Sequence, residues 1–162
     1  MDIVTVDVES AWGDIVGQSE AVAALRSWSM DPMHAYLFVG PSGTGKRQAA
    51  RVFSAAVQAQ HFTGDDAGRE RQLRLGLQDK HPDVEMYEPE GSQLLVPAVR
   101  ESIIPSAFRK PADGPRRIIV IDRFHDAHPG AAAALLKTVE EPPPNAIIIL
   151  LAESVPVEHV AI

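Results

Sequence analysis

The stretch that decides the fold is LFVGPSGTGKRQAA, residues 37–50. Within it Gly40 is followed by four residues and then by Gly45 and Lys46, which is the spacing of a phosphate-binding loop. The glycines let the backbone curl so that successive N–H groups face one anion, and the following helix adds partial positive charge. The pattern ends on Arg47, where Ser or Thr normally gives a hydroxyl to Mg²⁺. It predicts a nucleotide site that has lost a metal ligand.

The flanking sequence predicts an α/β fold. Continuous apolar runs predict buried strands at 35–39, 118–121 and 146–152, and a weaker, alternating run at 83–87 is expected near a sheet edge. Helical patterns lie between them, at 19–30, 46–58, 96–108 and 129–141. Pro105 should kink or stop the third helix. The alternation predicts a parallel sheet with helices on both faces, in three layers.

Composition narrows the classes of function. The 162 residues fit one domain, and a formal net charge of −7 disfavours a stand-alone nucleic-acid binder. The absence of cysteine excludes disulfides, thiol catalysis and cysteine-based zinc sites. The N-terminal sequence does not resemble a signal peptide, and no apolar run is long enough to span a membrane. We therefore expect a cytoplasmic protein.

A second motif, RRIIVIDRFHDA at residues 116–127, has the form of a Walker B strand ending in Asp122. In an active ATPase of this type the next residue is usually Glu, which orients the attacking water, but here it is Arg123. Arginine cannot act as a base because its pKa is too high, and His125 and Asp126 lie past the expected position. Because both motifs have an arginine in place of the residue closest to catalysis, we expect the ATPase fold without turnover and assign no catalytic residue.

Four segments carry a family resemblance. They are WGDIVGQSEAVAALR (12–26), HAYLFVGPSGTGKR (34–47), HPDVEMYEPEG (81–91) and AAAALLKTVEEPPPNAIIILLAES (131–154). Their order, and above all LLKTVEEPP at 135–143, resembles the AAA+ modules of bacterial clamp loaders, the loaders of the DNA polymerase III holoenzyme, which is a nucleotidyltransferase. The two arginines favour the delta-prime type over the gamma/tau type.

The resemblance implies a P-loop NTPase (AAA+) domain and a role in DNA replication. Clamp loaders form a five-subunit spiral, so the implied partners are gamma/tau and delta subunits, the sliding clamp and, through the assembly, primed DNA. Delta-prime subunits commonly have a decayed ATP site, so we expect ATP binding without efficient hydrolysis, and Arg47 argues against Mg²⁺. The implied nucleotide-binding residues are Val16, Gly17, Gly40, Pro41, Ser42, Gly43, Thr44, Gly45, Lys46, Arg47 and Asp122. Glu153 or Ser154 lies near the place of a sensor residue.

Departures from the family pattern add further expectations. Many relatives carry a four-cysteine zinc module where this chain has a polar segment at 60–80, which we interpret as a loop or short surface helix without zinc. Residues 1–162 would form the AAA+ domain alone, a monomeric fragment without the lid and collar domains. Five basic residues could approach the DNA backbone or be ordinary solvated charge; they are Arg100, Arg109, Lys110, Arg116 and Arg117.

Two other functions stay open at this point. One is an active P-loop enzyme, either a gamma/tau-type ATPase or a small kinase. It requires metal binding despite Arg47 and a water-orienting group despite Arg123. The other is an interaction module whose loop no longer binds nucleotide.

Overall fold

A computed structural model describes residues 7–15 and 17–155. Its α-helices are α1 Val8–Gly13, α2 Ser19–Met30, α3 Lys46–Gln60, α4 Asp66–Leu77, α5 Val96–Ala98, α6 Ile104–Ala107 and α7 Pro129–Glu140. Its strands are β1 Ala35–Val39, β2 Val84–Tyr87, β3 Arg117–Ile121 and β4 Ala146–Ala152. Within the described ranges, no helix combines the length and apolar character needed to cross a bilayer.

The four strands form one parallel sheet in the order β1-β4-β3-β2. The central strands β3 and β4 are buried along their whole length, which explains why they are apolar without alternation. Strands β1 and β2 are the two edge strands of the sheet. The weaker pattern of β2 predicted this position, whereas the prediction that β1 is a buried strand was wrong, because Leu37 and Val39 are 42% and 49% exposed. Because all strands are parallel, their carboxyl ends lie at the same end of the sheet. The glycine-rich loop begins there after β1, and Asp122 lies there after β3.

Helices cover both faces of the sheet. On the first face, Ile118, Val120 and Ile149 pack in one apolar cluster with residues of α2 and α3. On the second face, the alternate residues Ile119 and Ile148 pack in a separate cluster with residues of α7 and of the helical segment after β2. The three-layer α/β architecture predicted from the sequence is therefore confirmed.

The helix containing Pro105 does not stop there. Segments α5 and α6 are joined by a π-helical turn at Val99–Ile103, and the helix continues to Ala107. The amide of Ile104 bonds to the carbonyl of Val99, five residues earlier. The departure from α-helical geometry therefore lies in the turn just before the proline, which has no N–H to donate.

Of the two interpretations of 60–80, a loop or a short surface helix, the structure supports the helix, because most of the segment forms α4. The side chain of Asp65 caps this helix by accepting the amide of Gly68 at 2.8 Å. Leu73 and Gly76 are buried against α3, and a Cβ on Gly76 would lie 2.6 Å from the Cβ of Ala55. Because half of the residues of α4 are polar or charged and only Gln72, Leu73 and Gly76 are buried, its sequence lacks a clear apolar stripe.

Candidate nucleotide site

The carboxyl edge of the sheet brings the two motifs together. The glycine-rich loop leaves β1 and enters α3, while Asp122 directly follows β3. The amide of Gly40 bonds to the carbonyl of Ala152 at the end of β4 (3.1 Å), which fixes the start of the loop to the neighbouring strand. The amide of Asp122 likewise bonds to the carbonyl of Tyr87 at the end of β2 (2.9 Å).

The loop has the backbone geometry that its glycines predict. Gly43 and Gly45 have φ angles of 81° and 83°, a region in which side chains are strained. The Nζ of Lys46 donates to the carbonyls of Gly40 (2.5 Å) and Pro41 (2.9 Å), and the Thr44 hydroxyl donates to the same Pro41 carbonyl at 2.7 Å. Lys46 therefore lies across the loop and at the first turn of a 15-residue helix, where an anion is favoured.

A cavity of about 350 Å³ adjoins the loop on the side of α2. The residues that line it include the apolar side chains Leu25, Trp28 and Leu37, and also Lys46. An apolar cleft of this size beside a cationic group suits a flat ring attached to a charged group.

Gly17 is one of the implied nucleotide-binding residues that precede α2. Gly17 has a φ angle of 79° and lies between Ile15 and Gln18, both of which line the cavity. Val16 lies outside the described residues. Ser42, at the tip of the loop, is exposed.

Arg47 faces the Walker B strand. Its Nη1 pairs with the carboxylate of Glu88, and its Nε lies 3.8 Å from Oδ2 of Asp122. The other oxygen of Asp122 accepts the backbone amide of Arg123 at 2.8 Å. Sequence analysis had not identified Glu88. The pairing of Tyr87 with Ile121 places the acids that follow β2 and β3 side by side, and this pairing is not evident from the sequence.

Arg123 also contacts the segment after β2. Its Nη2 donates to the carbonyls of Pro89 (2.8 Å) and Gly91 (2.9 Å). Its backbone is left-handed, with a φ of 51°. The two arginines, 76 positions apart in the sequence (123 − 47), therefore both hold the short segment that begins at Glu88.

Comparison with known proteins now identifies the family. Residues 18–156 match the family described as DNA polymerase III, delta subunit. The chain belongs to this family. It is also similar to DNA polymerase III subunit tau of Bacillus subtilis, with 42% identity over 55 residues, which is 33% of this chain and 10% of that subunit.

The fold of this delta-subunit family member is shared with a solved structure. A DNA polymerase III gamma subunit-related protein from Thermotoga maritima superposes with a TM-score of 0.60 at 20% identity, over 80% of this chain and 39% of that one. This likeness supports the α/β P-loop fold. The chain thus spans well under half the length of each of these relatives.

Glu153, one of the two residues expected near a sensor position, directly follows β4. The amide of Glu153 donates to Nδ1 of His125 at 3.0 Å, and the Nε2 of His125 lies 3.3 Å from the carboxylate of Asp126. His125 is thus tied to the end of β4, beside the Walker B turn.

The residues of this delta-subunit family member do not fit a bound Mg²⁺. P-loop proteins hold the ion with the loop hydroxyl and the Walker B carboxylate. Here Arg47 replaces the hydroxyl, and both oxygens of Asp122 face nitrogen atoms. In the described part of the chain, no three His, Cys, Asp or Glu side chains are grouped so that they could hold a metal ion.

Proposed function

We propose that this chain is the AAA+ module of a delta-prime-type clamp-loader subunit, with a nucleotide site that does not hydrolyse ATP efficiently. Family membership supports the clamp-loader part of the proposal. The single observation that supports the inactive site is the pairing of Arg47 with Glu88 and Asp122. A carboxylate engaged by a guanidinium is a poor ligand for the cation that stabilises phosphoryl transfer.

The proposed role follows from the assembly that such a module joins. The chain would associate with gamma/tau and delta subunits in the cytoplasm and help to place the sliding clamp on primed DNA during replication. Turnover would come from the neighbouring motor subunits. Lys46 and residues 40–45 would hold the phosphates, and the cavity beside Trp28 would take the base.

An active gamma/tau-type ATPase is the second candidate. The similarity to a tau subunit favours it. It would require a group other than Arg123 to orient water and a metal site despite Arg47. A small kinase has no observation in its favour beyond the loop itself.

The test is a steady-state ATPase assay on the purified chain, alone and mixed with gamma/tau and delta subunits, with Lys46→Ala beside it. We expect no Mg²⁺-dependent turnover by the chain alone above the rate of the Lys46→Ala variant. Lys110→Ala, at an exposed lysine between α6 and β3, is the matched control. Hydrolysis that disappears in Lys46→Ala but not in Lys110→Ala would establish the gamma/tau-type candidate instead.

A further inference from the structure

At the carboxyl ends of the strands, the two neighbouring cations Lys46 and Arg47 have different partners. Asp122 and Glu88 lie against the guanidinium of Arg47, whereas the Nζ of Lys46 bonds to two backbone carbonyls. Arg47 is thus the cation that lies between the carboxylates of Asp122 and Glu88. We infer that Arg47 is a resident cation that excludes divalent metal from this site, so that any nucleotide is bound as the metal-free polyphosphate.

The exclusion of metal follows from the chemistry of arginine. Mg²⁺ and Mn²⁺ require oxygen ligands, and the hydroxyl ligand is absent. A divalent ion would have to displace a guanidinium that is covalently attached beside the carboxylates and never loses its proton. Displacement would also leave the guanidinium close to a doubly charged ion, which is unfavourable.

The exclusion of metal determines the form in which ATP binds, as the metal complex or as the metal-free anion. This step rests on the proposed nucleotide site. A metal complex of ATP would bring its ion to the position of Arg47. The metal-free anion carries more negative charge and meets the loop amides, Lys46 and the nearby Arg47, all of which are donors. Mg²⁺ should therefore compete for the nucleotide in solution rather than assist its binding.

The first test needs no nucleotide. Mn²⁺ binding is measured by electron paramagnetic resonance on the wild-type chain and on Arg47→Thr, which frees the two carboxylates and supplies the hydroxyl. We expect no saturable binding to the wild type and a gain of at least about tenfold in affinity for the variant, or about 1.4 kcal/mol. Adding Asp122→Asn to Arg47→Thr should remove the gain.

Arg51→Thr is the matched control, since Arg51 lies one turn further along α3. Arg51 is also paired, through Nε and Nη2, with the exposed carboxylate of Asp79 at 3.0 and 2.9 Å. It should gain no Mn²⁺ binding. Equal Mn²⁺ affinity of the wild type and Arg47→Thr, or an equal gain in Arg51→Thr, would overturn the inference. Circular dichroism confirms that each variant is folded.

The second test titrates a fluorescent ATP analogue with EDTA and with excess Mg²⁺. We expect the wild type to bind about tenfold more tightly in EDTA, and Arg47→Thr to reverse the order. Tighter wild-type binding in Mg²⁺ would overturn the inference about the nucleotide species. If neither protein binds the analogue in either buffer, that inference and the proposed nucleotide site both fail, whereas the Mn²⁺ result still decides whether Arg47 excludes metal.

Discussion

Strand β3 has an arginine at its start and another just after its end, and the two lie in opposite environments. Arg117 is only 4% exposed and donates to the carbonyls of Ser106 and Pro82, each at 3.0 Å, while its Nη2 pairs with Glu85. Asp83, also buried, lies 3.9 Å from it. Two carbonyls and two carboxylates therefore surround the buried guanidinium of Arg117.

At the carboxyl end of β3 the arginines are only partly covered. The side chain of Arg47 is 53% exposed and that of its partner Glu88 is 49% exposed. The side chain of Arg123 donates to the backbone carbonyls of Pro89 and Gly91. Exposed ion pairs contribute little to stability, whereas removal of one partner of a buried pair is costly. The comparison indicates that the amino-end cluster, formed by Arg117, Asp83 and Glu85, maintains the fold. The charges at the carboxyl end can be changed to probe function.

The largest effect is expected from Arg117→Met. The variant leaves Asp83 and Glu85 without their cation, and breaking a buried pair costs about 3–5 kcal/mol. Urea unfolding followed by circular dichroism measures the loss. Arg116→Met, at the partly exposed neighbouring residue, is the control and should change the free energy of unfolding by less than about 0.5 kcal/mol. An equal loss in the free energy of unfolding in the two variants would contradict the conclusion that the buried charges of Arg117 and its partners maintain the fold.

A smaller and local effect is expected from Arg123→Ala. Two hydrogen bonds from a partly exposed side chain are removed, and each is worth about 1 kcal/mol or less. The expected result is a modest loss in the free energy of unfolding together with faster amide hydrogen exchange in residues 89–92. Arg109→Ala, at an exposed arginine before β3, should leave that exchange unchanged. A loss as large as that of Arg117→Met would show that the carboxyl end is also part of the structural core.

The features that could be predicted from sequence are those set by local pattern. The bounds of α2, β1 and β4 are as predicted, because apolar runs and helical periodicity act over neighbouring residues. The meeting of the loop with Asp122 was also predictable, since parallel strands place their carboxyl ends at one edge.

What could not be predicted depends on pairing between distant residues. Arg117 was read as a surface charge, because its partners Asp83 and Glu85 precede it by more than 30 positions and meet it only through the β2–β3 pairing. The contact between Arg47 and Glu88 has the same origin. Sequence analysis placed Arg47 only at the position of the metal-binding hydroxyl and predicted no acidic partner for it.

The smallest effect concerns the acid sensitivity of the amino-end cluster. Burial by itself would raise the pKa of Glu85, but hydrogen bonds from Tyr87, Ser106 and Arg117 outweigh it, so that the pKa lies below the ordinary value of 4.5. The carboxylate therefore contributes stability that is present above pH 4.5 and is lost as the pH falls through the lowered pKa. In Glu85→Gln the free energy of unfolding should fall less steeply below pH 4.5 than in the wild type, as measured by urea unfolding at a series of pH values. Glu90→Gln, at an exposed residue of the segment held by Arg123, should keep the wild-type slope. An unchanged slope in Glu85→Gln would mean that the charge of Glu85 is as weakly coupled to folding as the charges at the carboxyl end.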